Sequence, residues 1–283
     1  LSMRAYVLVF IFALPAALCA TADDSALTLY SYRHYPSDTQ LYETFTEQTG
    51  IAVNVVQGSA DELIERMKAE GDNSPADIFI TADAGRLVRA KAEGLLQPVA
   101  SETLRTRIPE QLRDPEDAWF GFTQRARIIV YAKDRVDPAE LSTYEALTDE
   151  QWRGRILARS SSHIYNQSLL ASIIAAHGVE AATDWARGVR ANMARPPQGS
   201  DRDQMRAVVA GLGDIAIVNT YYVGLLVNSS SAEDQAVGNA LGVFFPNQEG
   251  RGAHMNISGA GVTKASDNVA AAQQLLEFLV SDE

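Results

Sequence analysis

From Leu27 onward, short apolar runs of strand length alternate with stretches of helical period. That alternation restricts the chain to α/β architectures with mostly parallel sheets. Strands are expected over Leu27–Tyr32, Ile51–Gln57, Ile78–Thr81, Arg127–Ala132, Gly154–Ala158, Ile215–Val218, Gly242–Phe245 and Gly261–Thr263. Helices are expected over Ser59–Glu70, Ala84–Glu93, Tyr165–His177, Ala181–Arg190, Asp203–Ala210 and Val269–Val280. Helix starts are marked by capping boxes at Ser37/Gln40, Ser59/Glu62 and Ser142/Glu145. This inventory fills two doubly wound lobes joined by two crossover segments. The first crossover is expected around Asp114–Gln124, which carries Pro115, Trp119, Phe120 and Phe122, and the return around Phe245–Gly252, which is rich in turn residues. The expected division is therefore a first lobe of 23–122 with 250–283 and a second of 123–249.

The N-terminus has the pattern of a cleaved secretory signal over 1–22: Met3-Arg4, an apolar run from Ala5 to Ala17, then Ala20-Thr21-Ala22 before Asp23. The run is too short for a spanning helix of about 20 residues. Cleavage there would remove Cys19, the sole cysteine, and with it any thiolate metal site or disulfide; acylation of a retained Cys19 is the rival expectation. The formal net charge of -12 argues against a nucleic-acid partner, whose phosphates call for lysine and arginine. It suits a chain that handles cations or works outside the cytoplasm. The segment Phe278–Glu283 looks like a helix interrupted before its end.

Phenols recur where strands are expected to give way to helices. Tyr221 and Tyr222 follow Ile215–Val218 and the pair Asn219-Thr220; Tyr35 follows the first strand; Tyr165 follows Gly154–Ala158 and the serines Ser160, Ser161 and Ser162. In open α/β sheets ligands bind beyond the carboxyl ends of strands, where all three corners fall. Phenolate is a hard anionic donor suited to an oxidised metal, and helix N-termini favour negative charge. The pattern thus points to a ferric ion site. A single tyrosine at such a corner equally fits a half-buried core ring, and only the recurrence favours a ligand. His34 could add a neutral imidazole or be an ordinary loop histidine. His163 is expected in the loop beside the site, His177 at a helix C-terminus, and His254 in a strand approaching the cleft. Arg33, Arg125 and Arg127 could offset phenolate charge, although surface solvation is the simpler expectation. Ser258-Gly259-Ala260-Gly261 has no accompanying phosphate-loop lysine and reads as a closely packed strand. The serines lack a partnering histidine and aspartate in any catalytic order.

The chain resembles the periplasmic ferric-iron-binding proteins of ABC importers, within the type II periplasmic binding proteins. The resemblance rests on Ser31-Tyr32-Arg33-His34-Tyr35, Asn73–Asp77, Arg159–Ser168, Gly213–Tyr222 and Phe245–Gly252, and is closest to a subgroup using one histidine and four tyrosines. It implies His34, Tyr35, Tyr165, Tyr221 and Tyr222 as ligands of Fe(III), closure of the lobes around the ion, and delivery to an ABC permease in the inner membrane. It also implies a periplasmic monomer that binds cargo without turning it over. Some relatives carry a basic residue after the tyrosine pair, where this chain has Val223-Gly224-Leu225, and many run further at the C-terminus. Two other readings follow from the same residues: a receptor for an oxyanion or small organic solute, and, more remotely, a non-haem iron enzyme, which would call for a two-histidine, one-carboxylate set.

Overall fold

The computed structural model describes residues 26–33 and 35–282. The expected signal segment, Cys19 and His34 lie outside the described residues.

The chain runs β1 (Ala26–Ser31), α1 (Pro36–Thr49), β2 (Ala52–Gln57), α2 (Ala60–Glu70), β3 (Ile78–Thr81), α3 (Ala84–Ala92), β4 (Leu96–Gln97) and α4 (Glu102–Arg107). It continues through β5 (Phe120–Ala132), β6 (Ile156–Leu157), α5 (Ile164–Ala191), α6 (Asp201–Val209), β7 (Ile215–Asn219), α7 (Thr220–Val227), α8 (Ala232–Ala240), β8 (Leu241–Phe244), β9 (Met255–Thr263) and α9 (Val269–Phe278). Strands follow the order β2-β1-β3-β9-β5-β7-β6, with β4 also on β9 and β8 also on β5. Both faces of each half are covered, as a buried parallel sheet demands. One half packs Leu27, Leu29, Phe45 and Leu275 on one side and Tyr30, Ile64, Phe79 and Leu87 on the other. The second half does the same with Ile128, Met205 and Val218 opposite Ile129, Trp152 and Ile217. Among the described residues no helix is long and apolar enough to cross a membrane.

The expectation of mostly parallel sheets holds for the outer strands and fails in the centre. β1 is parallel to β2 and β3, and β6 to β7. β5 and β9 instead run antiparallel to each other and to their outer neighbours β3 and β7. The first crossover is therefore an extended strand from Phe120 onward, whereas the return expected at Phe245–Gly252 is a turn and the chain crosses back further on, along β9; both strands are longer than their apolar runs suggested. β5 starts at Phe120, and its only exposed positions are Thr123 and Gln124, just past a register shift at Gly121/Thr123. That polar step had read as the end of a connection; the ladder to β9 carries it through.

The Ser258–Gly261 stretch is a closely packed strand, as expected. A Cβ on Gly259 would collide with the Phe120 carbonyl and one on Gly261 with the Ala118 carbonyl. Backbone cannot yield as a flexible side chain can. Gly259→Ala is expected to destabilise by about 1–3 kcal/mol, a loss of several degrees at roughly 2–4 °C per kcal/mol for a chain of this order. An unchanged thermal midpoint would contradict this packing.

Local starts differ in two places from the sequence expectation. Ser59 and Glu62 form the predicted capping box. Ser37 does not cap α1, which begins at Pro36 with Tyr35 before it and no side-chain cap. Ser142 opens no α-helix; Glu145–Thr148 makes a 3₁₀ turn preceded by Tyr144. The two helices expected over 165–177 and 181–190 are successive segments of α5, broken where Gly178 adopts φ 83°. His177 ends the first segment and its Nε2 lies 2.9 Å from Glu145 Oε1.

Candidate metal centre

Each of the three phenol corners forms where a strand delivers the chain to a helix. Tyr35 is the N-cap of α1, after β1; Tyr165 is the second residue of α5, after β6; Tyr221 and Tyr222 are the second and third of α7, after β7. First-turn positions point side chains back past the helix N-terminus, so phenols from separate elements can converge. Asn219 precedes α7 without a side-chain cap. Its Oδ1 instead accepts from Arg127 Nη1 at 3.2 Å.

Tyr165 and Tyr221 meet hydroxyl to hydroxyl at 2.9 Å. With Tyr35, Arg33 and Arg125 they line one open cavity of ≈ 570 Å³ between the halves of the molecule. Tyr222 is not among its lining residues. Its ring lies 4.2 Å from that of Tyr221, tilted by 39°, and packs against the core that holds Met205 and Val218. Of the five sequence candidates, then, three share one cavity, Tyr222 adjoins it, and His34 lies outside the described residues.

Tyr165 is held from both sides. The His163 Nδ1 accepts from the Tyr165 backbone N–H at 3.3 Å, capping α5, with the imidazole 4.3 Å from the phenol ring. Burial, then the nearby Arg159 charge, pushes His163 down to about 4, so it is neutral at neutral pH. Asn166 accepts from Arg127 Nη2 at 2.8 Å and donates to the Arg159 carbonyl at 2.8 Å. Ser160 and Ser162 pair with each other on the exposed loop.

The arginines overturn the surface expectation. Arg125 and Arg127 are 6% and 2% exposed. With Arg159 they place three guanidinium carbons 5.7, 5.8 and 5.2 Å from the Tyr165 ring centre. Arg127 is balanced by Asp201, itself fully buried, which also accepts from the Asn219 N–H at 2.9 Å. Among the described residues Arg125 has no such ion-pair partner. Its Nη2 bonds the Ala82 carbonyl, and its Nη1 makes no hydrogen bond among the described residues. Burial lowers the Arg125 pKa, opposed by the phenols of Tyr165, Tyr221 and Tyr35 and by Asp83. One signal could have pointed here: once the strand is carried back past Arg127, two arginines spaced by two must face the same side of the sheet.

Removing one member of a buried pair strands the other charge. Asp201→Ala is expected to cost about 3–5 kcal/mol of stability, read as a lower urea midpoint with unchanged slope; a midpoint at the wild-type value would show that the pair is hydrated. Burial likewise governs the phenols. It raises the Tyr165 pKa, reinforced by the nearby Tyr222, and raises that of Tyr221, reinforced by Tyr165 and by hydrogen bonds to Tyr165 and Tyr222. Both hydroxyls therefore carry their protons at neutral pH. Among the described residues no three His, Cys, Asp or Glu side chains cluster, and the phenol oxygens of Tyr35, Tyr165 and Tyr221 line the cavity.

The sequence profile described as bacterial extracellular solute-binding protein matches residues 33–283. The chain belongs to that family. This solute-binding protein is 52% identical over 260 residues to "Iron uptake protein A1" of Synechocystis sp., covering 92% of this chain and 72% of the relative. It is 28% identical over 274 residues to the "Major ferric iron-binding protein" of Neisseria meningitidis, covering 96% and 80% respectively. Among solved structures it superposes with a TM-score of 0.86 and 56% identity on the Trichodesmium protein described as IdiA or FutA in complex with iron and citrate. That match covers 90% of this chain and 81% of the other. The solute-binding protein thus has the type II periplasmic binding protein fold expected from its sequence.

Proposed function

We propose that the protein captures ferric iron in the cavity between its halves and hands it to the permease of an ABC importer. The observation that carries this reading is the meeting of the Tyr165 and Tyr221 hydroxyls beside Tyr35 and the buried Arg125, whose Nη1 makes no hydrogen bond among the described residues. The naming of similar proteins as iron uptake and ferric-binding proteins supports it. The ligands in this reading are Tyr35, Tyr165, Tyr221 and Tyr222, with His34, adjacent in sequence to Tyr35, as the fifth.

The electrostatics favour a trivalent cargo. Four phenolates around Fe³⁺ leave one net negative charge, against two for a divalent ion, and the smaller charge is the less costly to hold in a partly desolvated cavity flanked by Arg33 and Arg125. Each phenol releases its proton to solvent as its oxygen binds the metal. The halves, 23–122 with 250–283 and 123–249, close on the ion by flexing the two crossing strands near Thr123–Gln124. Binding and release without turnover, as a monomer outside the cytoplasm, complete the reading.

The test is a visible absorption titration of the purified protein with ferric nitrilotriacetate, followed by desalting and iron analysis. A broad phenolate-to-iron band with about one retained iron per chain is the expected result. Absence of both, in a folded protein, would replace this reading with a receptor for an oxyanion or small organic solute held by Arg33 and Arg125.

A further inference from the structure

Beside the hydrogen bonds of Arg125 to the Ala82 carbonyl and of Arg33 to Thr123, a further contact joins the halves and uses none of the candidate iron ligands. The Ser168 hydroxyl, one helical turn along α5 from Tyr165, donates to Asp83 Oδ2 at 2.7 Å across 85 residues of sequence. Asp83 is 2% exposed and is the N-cap of α3. An aspartate there ordinarily accepts from the first free N–H groups of its own helix. Asp83 makes no such cap.

The cap comes from elsewhere. Asn256, on the crossing strand β9, presents its Oδ1 to the Ala84 N–H at 3.2 Å, while its Nδ2 donates to Asp83 Oδ2 at 2.7 Å. The asparagine thereby does for α3 what the aspartate would have done and holds the carboxylate turned toward α5. Gly85 makes the room, because a Cβ there would lie 2.9 Å from Asp83 Oδ1. That second oxygen makes no hydrogen bond among the described residues, with Arg86 Nη1 3.9 Å away. A buried carboxylate so sparsely satisfied gives its remaining donors unusual weight.

We propose that Asp83 and Ser168 form a latch between the halves that sets how long the cavity stays closed, with Asn256 and Gly85 holding the carboxylate in its latching orientation. The proposal rests on the ferric reading for its cargo but not for its contact. Ser168 is a positioning residue: it touches no metal, and its loss leaves the phenols in place. Opening must break this hydrogen bond, whereas capture from the open form need not wait for it. The latch therefore acts on the release rate and leaves the capture rate alone.

The experiment compares wild type, Ser168→Ala and Ser168→Thr. Ferric-loaded proteins are mixed with excess chelator and the visible band is followed, and the iron-free proteins are measured by small-angle scattering. Ser168→Ala is expected to release iron about tenfold to a hundredfold faster, the range set by one hydrogen bond to a charged group, with unchanged band position and capture rate. Ser168→Thr, which keeps the hydroxyl, is expected to restore slow release, and Ser168→Ala to give a larger mean radius without iron. Equal release rates for Ser168→Ala and wild type would overturn the latch, as would failure of threonine to rescue. If wild type develops no band, it is the ferric reading that fails; the latch is then decided by scattering alone, and equal radii for the three proteins would remove it.

Discussion

Replacing Tyr165 and Tyr221 together with phenylalanine is expected to abolish most ferric affinity while leaving the fold intact. Losing a group that merely supports a metal ligand costs 10–100-fold in affinity, so losing a ligand oxygen should exceed about 100-fold. Two such losses approach about 10⁴-fold if they add, or about 5.5 kcal/mol. They will fall short of that to the extent that the 2.9 Å hydroxyl contact couples the pair. Both rings keep their packing in the variant, so a melting curve should stay close to wild type. The measurement is competition against a ferric chelator of known affinity, with the single variants alongside to expose the coupling. Wild-type affinity in the double variant would mean that iron, if bound at all, is bound elsewhere.

Acidification from pH 7 to 5 is expected to weaken binding by a comparable factor, and the direction follows from burial. The raised pKa of Tyr165 and of Tyr221 keeps both hydroxyls protonated in the empty cavity. Protons and iron then compete for the same oxygens, and each phenol that must ionise contributes about tenfold per pH unit. Two phenols over two units give about 10⁴, with affinity falling as pH falls. Further phenolate ligands steepen the dependence. His163, pushed down to about 4, stays neutral over nearly all of this range, so the slope counts the phenols together with the His34 imidazole of the proposed ligand set, since an imidazole ordinarily gains a proton at about pH 6.5. A slope near zero, after correcting for protonation of the competing chelator, would rule out ligation by buried phenols that begin protonated.

The corners that carry these phenols were legible because strand-to-helix transitions leave strong local marks. An apolar run such as Ile215–Val218 ends, a helix begins, and the side chains of its first turn are committed to the strand's carboxyl end. What was not legible depended on partners distant in sequence. β5 and β9 extend through polar positions because each supplies the other's backbone partners over Phe120–Ala126 and Met255–Ala260, and no propensity in either segment reports that ladder. Arg125 and Arg127 read as solvated because charge usually is, yet Arg127 is buried against Asp201 and Arg125 is buried beside the phenols, where burial lowers its pKa. Tyr222 shares its corner with Tyr221 but turns partly into the core, a difference of one helical position that adjacency conceals. The Asp83–Ser168 contact leaves no sequence signature, since both residues have commonplace local roles.

The position of β9 in the sheet also bears on how the chain is made. It lies between β3 and β5, so the half built by the first strands lacks an interior member until almost the entire polypeptide exists. The other half is assembled from β5 through β8, a nearly continuous stretch, and can reach its native pairing sooner. A nascent chain emerging amino-end first therefore presents its opening third without the neighbour that completes its core, with Ile78 and Ile80 on β3 awaiting Ala260 and Val262. Delay of this kind leaves the leading segment incompletely packed until late in synthesis, which favours its passage, still unfolded, through any narrow channel it must cross.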